Sequence, residues 1–309
     1  MKIIVTGGAG FIGSHIVDAY VENGHRVVVI DNLSTGFKKN INPRARFYKA
    51  DIRRPDAVEK IFKREKPTVV NHHAALVAVA ESVHNPLPTF ETNVLGTANL
   101  LTAFGKYGRG KNKKFIFSSS GGAIYGNPKK IPAAETTASL PLSPYGLSKL
   151  LGEEIIKFYS RQFGFRYLIF RYANVYGPRQ NPQGGGGVVA IFGWLMKSGR
   201  VPVIFGDGAK TRDYIYVEDI AKANISALHK GKDEILNLGS GKEISDQKIF
   251  DMVARQTGCR QKPRYAPSRK GEVHRVALNT RRAQKVLGWR PSTTLEQGIQ
   301  KTLAQMQTR

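Results

Sequence analysis

Short apolar runs and longer amphipathic stretches alternate along this chain. The runs are residues 2–6 (KIIVT), 26–30 (RVVVI), 47–50 (FYKA), 68–72 (TVVNH), 114–120 (KFIFSSS) and 165–171 (FRYLIFR). Continuous apolar runs of this length suit parallel strands covered on both faces. Between them apolar residues recur at helical spacing. Ile16, Val17, Tyr20 and Val21 mark one helix, with Gly24 as its stop, and Val58, Ile61 and Phe62 another. A third runs over 86–107 through Phe90, Val94, Leu95, Ala98, Leu101 and Phe104. Strand–helix alternation with no internal repeat predicts a doubly wound α/β fold. After Tyr172 the texture changes. A glycine-rich loop at 181–187 leads to a helix through Val188, Ile191, Phe192, Leu195 and Met196. Residues 212–217 read as a strand, Glu218 and Asp219 start a helix, and 235–238 read as one more sheet strand. Ala283, Val286, Leu287 and Trp289 pack a smaller C-terminal α/β lobe.

The joint between the first strand and the first helix carries the first chemistry. Gly7, Gly10 and Gly13 stand there at G-x-x-G-x-x-G spacing, around Phe11 and Ile12. Strand, glycine loop and helix together place a pyrophosphate on a helix N-terminus, as in a dinucleotide-binding Rossmann unit. Asp31 ends the second strand, where a carboxylate accepts hydrogen bonds from the adenosine ribose and repels a 2′-phosphate. NAD is therefore favoured over NADP, unless Lys38, Lys39, Arg44 or Arg46 reaches the ribose. Asp51 ends the third strand; it either reaches the adenine amino group or caps the helix starting near Pro55. Ala74 and Ala75 leave the fourth strand and permit close backbone approach to a cofactor. His72 and His73 read as strand-end residues, since no third metal ligand is apparent. Asn93 either braces the sheet or faces solvent. The Rossmann domain is expected over 1–175 plus about 213–240, and the smaller lobe over about 176–212 and 241–309.

The helix that opens at Pro144, with Ser143 as its N-cap, brings the second piece of chemistry. Tyr145 and Lys149 are four residues apart and share one helix face. A nearby ammonium favours the phenolate. A free tyrosine titrates at roughly 10, so a neutral-pH base asks for about 4 kcal/mol from its surroundings. Alone, the spacing is that of any surface pair. Ser118, Ser119 and Ser120 end the fifth strand, where open α/β sheets bind ligands. Arg212 and Arg269 suit a phosphorylated substrate, because guanidinium pairs bidentately with phosphate.

Composition narrows the setting. Of 309 residues 41% are hydrophobic, enough for one large α/β domain or a large domain with a smaller one. Cys259 is the only cysteine, which leaves no internal disulfide and no cysteine-based metal site. The apolar start is too short for a signal peptide, and no stretch approaches a spanning helix, so a cytoplasmic protein with no membrane partner is expected. Lys plus Arg is 48 against 23 Asp plus Glu, a net +25. That excess attracts anions, but the charges are scattered, and specific nucleic-acid binding is not expected.

Taken in order, TGGAGFIGSH (6–15), DNLSTG (31–36), HHAALVAVAESVHNP (72–86), SSSGGAIYG (118–126), SPYGLSK (143–149), RYANVYGPRQ (171–180), FGDGAKTRDYIYVEDI (205–220) and LGW (287–289) resemble the extended short-chain dehydrogenase/reductases, and among them the UDP-glucose (UDP-galactose) 4-epimerases. The likeness covers nearly the whole chain. It implies an NAD-dependent isomerase that inverts C4 of a UDP-hexose through a 4-keto sugar, with NAD retained. Tyr145 would be the base and Lys149 its partner. The family's Ser or Thr falls on Ser120 when aligned from the strand, but on Gly121 when aligned from Tyr125-Gly126. Gly7, Gly10, Phe11, Ile12, Gly13, Asp31, Asn32, Asp51, Ile52, Ala74, Ala75, Asn93, Ser118 and Tyr172 would join Tyr145 and Lys149 around NAD. Asn174, Val188, Val203, Phe205, Arg212 and Arg269 would hold the UDP-sugar, and small Val276 would admit N-acetylated sugars. Dehydratases of this superfamily carry acids just before the Tyr-Gly; here Gly122, Ala123 and Ile124 stand there. UDP-glucuronate 4-epimerisation or decarboxylation, or a non-enzymatic NAD- or RNA-binding role, are the rivals. Family members pair as homodimers through two helices, and the apolar patterns of 86–107 and 150–163 suit that pairing or core burial equally.

Overall fold

The apolar runs become the strands of one sheet. The structure is a computed structural model and describes residues 1–183, 186–268 and 272–306. The first six strands are β1 (Lys2–Thr6), β2 (Arg26–Asp31), β3 (Arg46–Lys49), β4 (Val69–His72), β5 (Lys114–Ser120) and β6 (Arg166–Tyr172). Then come β7 (Asn174–Tyr176), β8 (Val203–Phe205), β9 (Thr211–Arg212), β10 (Tyr214–Tyr216), β11 (Glu234–Leu238), β12 (Ile244–Ser245) and β13 (Arg264–Ala266). The large sheet has the order β11-β6-β5-β4-β1-β2-β3, parallel throughout. Its order reverses between β1 and β4. Crevices at such a point bind ligands beyond the carboxyl ends of the strands.

Helices cover both faces. On one side α1 (Phe11–Glu22) sets Ile16, Val17 and Tyr20 against the sheet. On the other, α2 (Pro55–Glu65) brings Val58 and Phe62. The stretch expected as one helix over 86–107 is interrupted. After α3 (Val79–His84), α4 (Leu87–Phe90) runs through a π-turn at Glu91–Leu95 into α5 (Gly96–Tyr107). Such π-turns widen a helix locally and concentrate at functional sites. This one sits at Asn93, and its cause becomes plain at the site. A short α6 (Gly121–Ile124) follows β5, and α7 (Pro144–Phe163) packs Ile156 into the same face as α5. Ser143 caps α7 as expected, its Oγ accepting from the Gly146 N–H at 3.2 Å.

Past β6 the chain builds a second core. Here α8 (Val188–Lys197), α10 (Asp246–Thr257) and α12 (Leu295–Ala304) enclose Phe192, Phe250, Val253, Ile299 and Leu303 with Tyr176, Tyr214 and Tyr216. Between them, α9 (Val217–His229) returns to the sheet beside α1, and α11 (Arg281–Leu287) packs there too. Three two-stranded ladders, β7 with β10, β9 with β12 and β8 with β13, frame this part. The strand expected over 212–217 is split at Asp213. That residue turns inward, 1% exposed, and accepts from the N–H groups of Ser240, Gly241 and Leu278 at 2.7–3.1 Å.

Candidate active site

The glycine loop lies at the β1/β4 crevice. Gly7 has φ +70°, and a Cβ there would sit 2.6 Å from the Ala74 nitrogen. A Cβ on Gly13 would come within 2.2 Å of the Gly7 carbonyl oxygen, so loop and helix touch backbone to backbone. Gly10 is the N-cap of α1, without a side-chain cap and without an acid in the first turn. The first amides of α1 are thereby left for an anion. Beside them is a cavity of about 170 Å³ lined by Gly7, Gly10, Asp31, Asn32, Asp51, Ile52, Ala74 and Ala75, among others. Asp31 is 8% exposed; its carboxylate accepts from Ala9 N at 3.0 Å and Leu33 N at 2.8 Å. It braces the glycine loop and keeps lone pairs for a ribose.

Other expected positions resolve here. Asp51 does not cap α2, whose N-cap is Arg54. It binds Arg53 (Nη2 at 2.7 Å), and that hydrogen bond first of all holds its carboxyl at about 2. Arg53 also lines the cavity, while Arg46 is committed to Glu65 at 2.9 Å. Asn93 neither braces the sheet nor faces solvent. At 2% exposure its Oδ1 accepts from Leu76 N (2.8 Å), and its Nδ2 donates to Leu76 O and Ser148 Oγ, both at 2.9 Å. Its amide protons are spent on the protein, and through them it shapes the cradle by holding the 73–76 loop. The π-turn lets this one side chain reach both the loop and α7. Tyr172 lies just behind this loop. Its phenol is buried behind His73, ring stacked on ring, and bonded to Asn224 at 3.0 Å. His72 is spent between Thr6 (2.6 Å) and Thr97 (2.8 Å).

The Tyr145–Lys149 face of α7 points at the end of β5. Lys149 is 3% exposed; its Nζ donates to Ser118 O at 2.8 Å and lies 4.9 Å from the Phe117 ring centre. Burial pushes it down to about 7, while Glu153 one turn on pulls it up. Ser118 thus enters through its carbonyl. Burial raises the Tyr145 phenol, opposite to what pairing with Lys149 alone predicts, and the Ser120 side chain pulls it back. Of the two positions, Ser120 is the one that brings a hydroxyl near the phenol. A Cβ on Gly121 would meet the Leu278 side chain at 2.6 Å, so that position has no room for a hydroxyl-bearing residue without displacement.

The far wall is looser. Asn174 opens β7, its N–H donating to Asp213 O at 2.8 Å, and its Oδ1 lies 3.0 Å from the point a Gly122 Cβ would occupy. Val188 begins α8, and Val203 and Phe205 lie two apart on β8, hence on one face; all three are partly exposed. Arg212 donates to the Thr211 carbonyl at 2.8 Å and the His274 carbonyl at 3.3 Å. Val276 is 2% exposed and packs in the core, not on an open cleft. Arg269 lies outside the described residues. Reading the sequence also missed Glu153, Arg171 and Tyr125, which with Ser119 form a buried polar group behind Lys149. The spacing of Glu153, four beyond Lys149, was the available signal.

Residues 3–239 match the NAD dependent epimerase/dehydratase family. The chain belongs to that family. This family member is an enzyme, and its cofactor is NAD, which the glycine cradle, the uncapped helix end and Asp31 fit. It is 49% identical to a putative UDP-glucose 4-epimerase of Methanocaldococcus jannaschii, over 97% of each chain. It is 46% identical to a UDP-glucose 4-epimerase of Thermotoga maritima solved with UDP-glucose, with a TM-score of 0.96 over 99% of this chain and 98% of that one. A UDP-glucuronic acid 4-epimerase of Bacillus cereus, solved with UDP-glucuronic acid and NAD, is 31% identical with a TM-score of 0.89, again over 99% and 98%. Among the family member's described residues no helix is long and apolar enough to cross a membrane.

Proposed function

We propose that this enzyme inverts C4 of a UDP-hexose, interconverting UDP-galactose and UDP-glucose through a transient 4-keto sugar. The observation that carries the reading is the convergence of Ser120, Tyr145 and Lys149 at the mouth of the NAD crevice. Tyr145 removes the proton of the sugar 4-hydroxyl and later returns it. Ser120 holds that hydroxyl and the phenol in line, and Lys149 fixes the ribose side. NAD, when bound, supplies the acceptor and donor for the C4 hydride. Dehydration is disfavoured, because Gly122, Ala123 and Ile124 offer no acid for eliminating water across C5 and C6. The uracil lies against Val203 and Phe205, Asn174 and Val188 contact the sugar diphosphate, and Arg212 with Arg269 clamps its charge. Residues 1–175 with 213–240 serve the cofactor, and the remainder serves the sugar nucleotide.

Similarity to the glucuronate enzyme supports a second substrate class, a uronate at the same site. Incubation with UDP-galactose, UDP-glucose, UDP-glucuronate and UDP-N-acetylglucosamine, followed by proton NMR, separates the two. Conversion of UDP-galactose is expected, and conversion of UDP-glucuronate alone would replace the hexose reading. Leu87 (69% exposed), Leu95 (60%), Leu147, Leu151 and Phe158 (56%) leave an apolar face on α4, the π-turn and α7. That face suits a homodimer, which light scattering would show as twice the 34.1 kDa chain mass. The lone cysteine suits a reducing cytoplasm.

A further inference from the structure

We propose that Glu153 is a positioning residue of this site: clamped by Arg171, it sets the end of β5 against α7 through Ser119 and keeps a negative charge facing Lys149. This rests on reading the Tyr145 site as the C4-inverting centre.

Tyr145, Lys149 and Glu153 follow one another at intervals of four on α7 and form one stripe. The Glu153 side chain is 0% exposed and that of Arg171 5%. Arg171 holds it by two bonds, Nε to Oε1 at 2.9 Å and Nη2 to Oε2 at 2.6 Å. A buried ion pair of this kind adds little stability over an apolar pair, because desolvation offsets the attraction. A different use is visible in what else Glu153 holds. Ser119 Oγ donates to its Oε1 at 2.6 Å. Ser119 stands between Ser118, whose carbonyl takes the Lys149 ammonium, and Ser120, which brings a hydroxyl near the Tyr145 phenol. One carboxylate thus pins the peptide units on both sides of it. The clamp is anchored further back. Arg171 Nη1 donates to Tyr125 Oη at 2.9 Å, and Tyr125 donates to Asn237 Oδ1 on β11 at 2.7 Å.

The groups around Lys149 show why the charge matters. From α7 come Tyr145 and Glu153, and from β5 the Ser118 carbonyl and the Phe117 ring. From β4 comes His72 and from the loop after it His73, both held neutral by burial. Glu153 is the carboxylate of this set. Removing its charge lets burial deprotonate Lys149 at lower pH, so the alkaline limb of the rate profile moves toward acid.

The test compares S119A, E153Q and E153Q/R171M with the parent enzyme. The double variant removes the pair together, so no lone buried guanidinium is left to unfold it. Expected for it are a melting temperature near the parent's, KM for UDP-galactose within about threefold, a lower kcat, and an alkaline limb about one pH unit lower. S119A, which keeps the charge, is expected to lose kcat about tenfold without moving the limb. A folded double variant with the parent's kcat and limb, or an S119A enzyme indistinguishable from the parent, overturns the proposal. NAD affinity by calorimetry between pH 6 and 10 is read on the same proteins. If the parent converts no nucleotide sugar, the epimerase reading fails. The inference is then decided by whether the pH at which NAD affinity falls moves down with the Glu153 charge.

Discussion

The cofactor crevice and the wall proposed for the sugar nucleotide are built by different means. The crevice is backbone against backbone: Gly7 on Ala74, Gly13 on Gly7, with Asp31 and Asn93 fastening loops by short hydrogen bonds. The opposite wall is made of side chains on ladders two or three residues long, β8, β9 and β13. A backbone site tolerates little change and takes one ligand shape. A side-chain wall on short ladders can be re-cut for a new sugar without disturbing the crevice. Solved structures similar to this chain include epimerases named for UDP-glucose and for UDP-glucuronic acid.

The sharpest break of that contrast is Tyr145→Phe, which touches both regions. Turnover is expected to fall by about 10²–10⁴-fold or more while UDP-sugar affinity stays within a few-fold, as titration calorimetry would show. Near-normal rates would remove Tyr145 from the chemistry. Next comes Arg212→Ala on the side-chain wall, expected to raise KM for the UDP-sugar by about ten- to a hundredfold with a smaller change in kcat, the mark of lost uniform binding. Equal KM values would mean that Arg212 stays on the Thr211 and His274 carbonyls throughout. On the backbone side, NAD is expected to bind at least about tenfold tighter than NADP, because Asp31 repels a 2′-phosphate. Equal affinities in a titration would give Arg53, not Asp31, control of the ribose end.

The smallest effect concerns stability. Burial alone pushes the Glu65 carboxyl up, but hydrogen bonds from Tyr48, Arg46 and Lys2 overcome it and set it at about 2. A carboxyl depressed in the folded state stabilises above its unfolded pKa, near 4.5. That contribution is lost as pH falls from there toward 2. Glu65→Gln is therefore expected to flatten the decline of melting temperature over that window by a few degrees. An unchanged slope would take Glu65 out of the acid response.

What was readable in the sequence follows the same divide. The six apolar runs, the glycine loop, Asp31 and the capped helix at Pro144 are local patterns with local causes, and they reappear nearly at the expected residues. The π-turn was hidden because it answers a distant demand, Asn93 reaching Leu76 and Ser148 at once. The stacking of His73 on Tyr172 was hidden for a related reason: only the fold brings the two rings together. The choice between Ser120 and Gly121 needed Leu278, which lies over 150 residues away in the chain and fills the space beside Gly121. Asp213 read as part of a strand because nothing near it in sequence reveals that Ser240, Gly241 and Leu278 converge on it.

The position of β11 has a consequence for synthesis. It is the outermost strand next to β6, yet the chain reaches it only at Glu234, after β7 to β10 and α8 have been made. While a nascent chain is on the ribosome, β6 stands as an uncovered edge with unpaired N–H and C=O groups. The large sheet is sealed only when β7 to β10, α8 and α9 have already emerged. A chain cut anywhere between Tyr172 and Glu234 would carry the whole glycine cradle and still end in a sticky edge, prone to pair with another copy of itself.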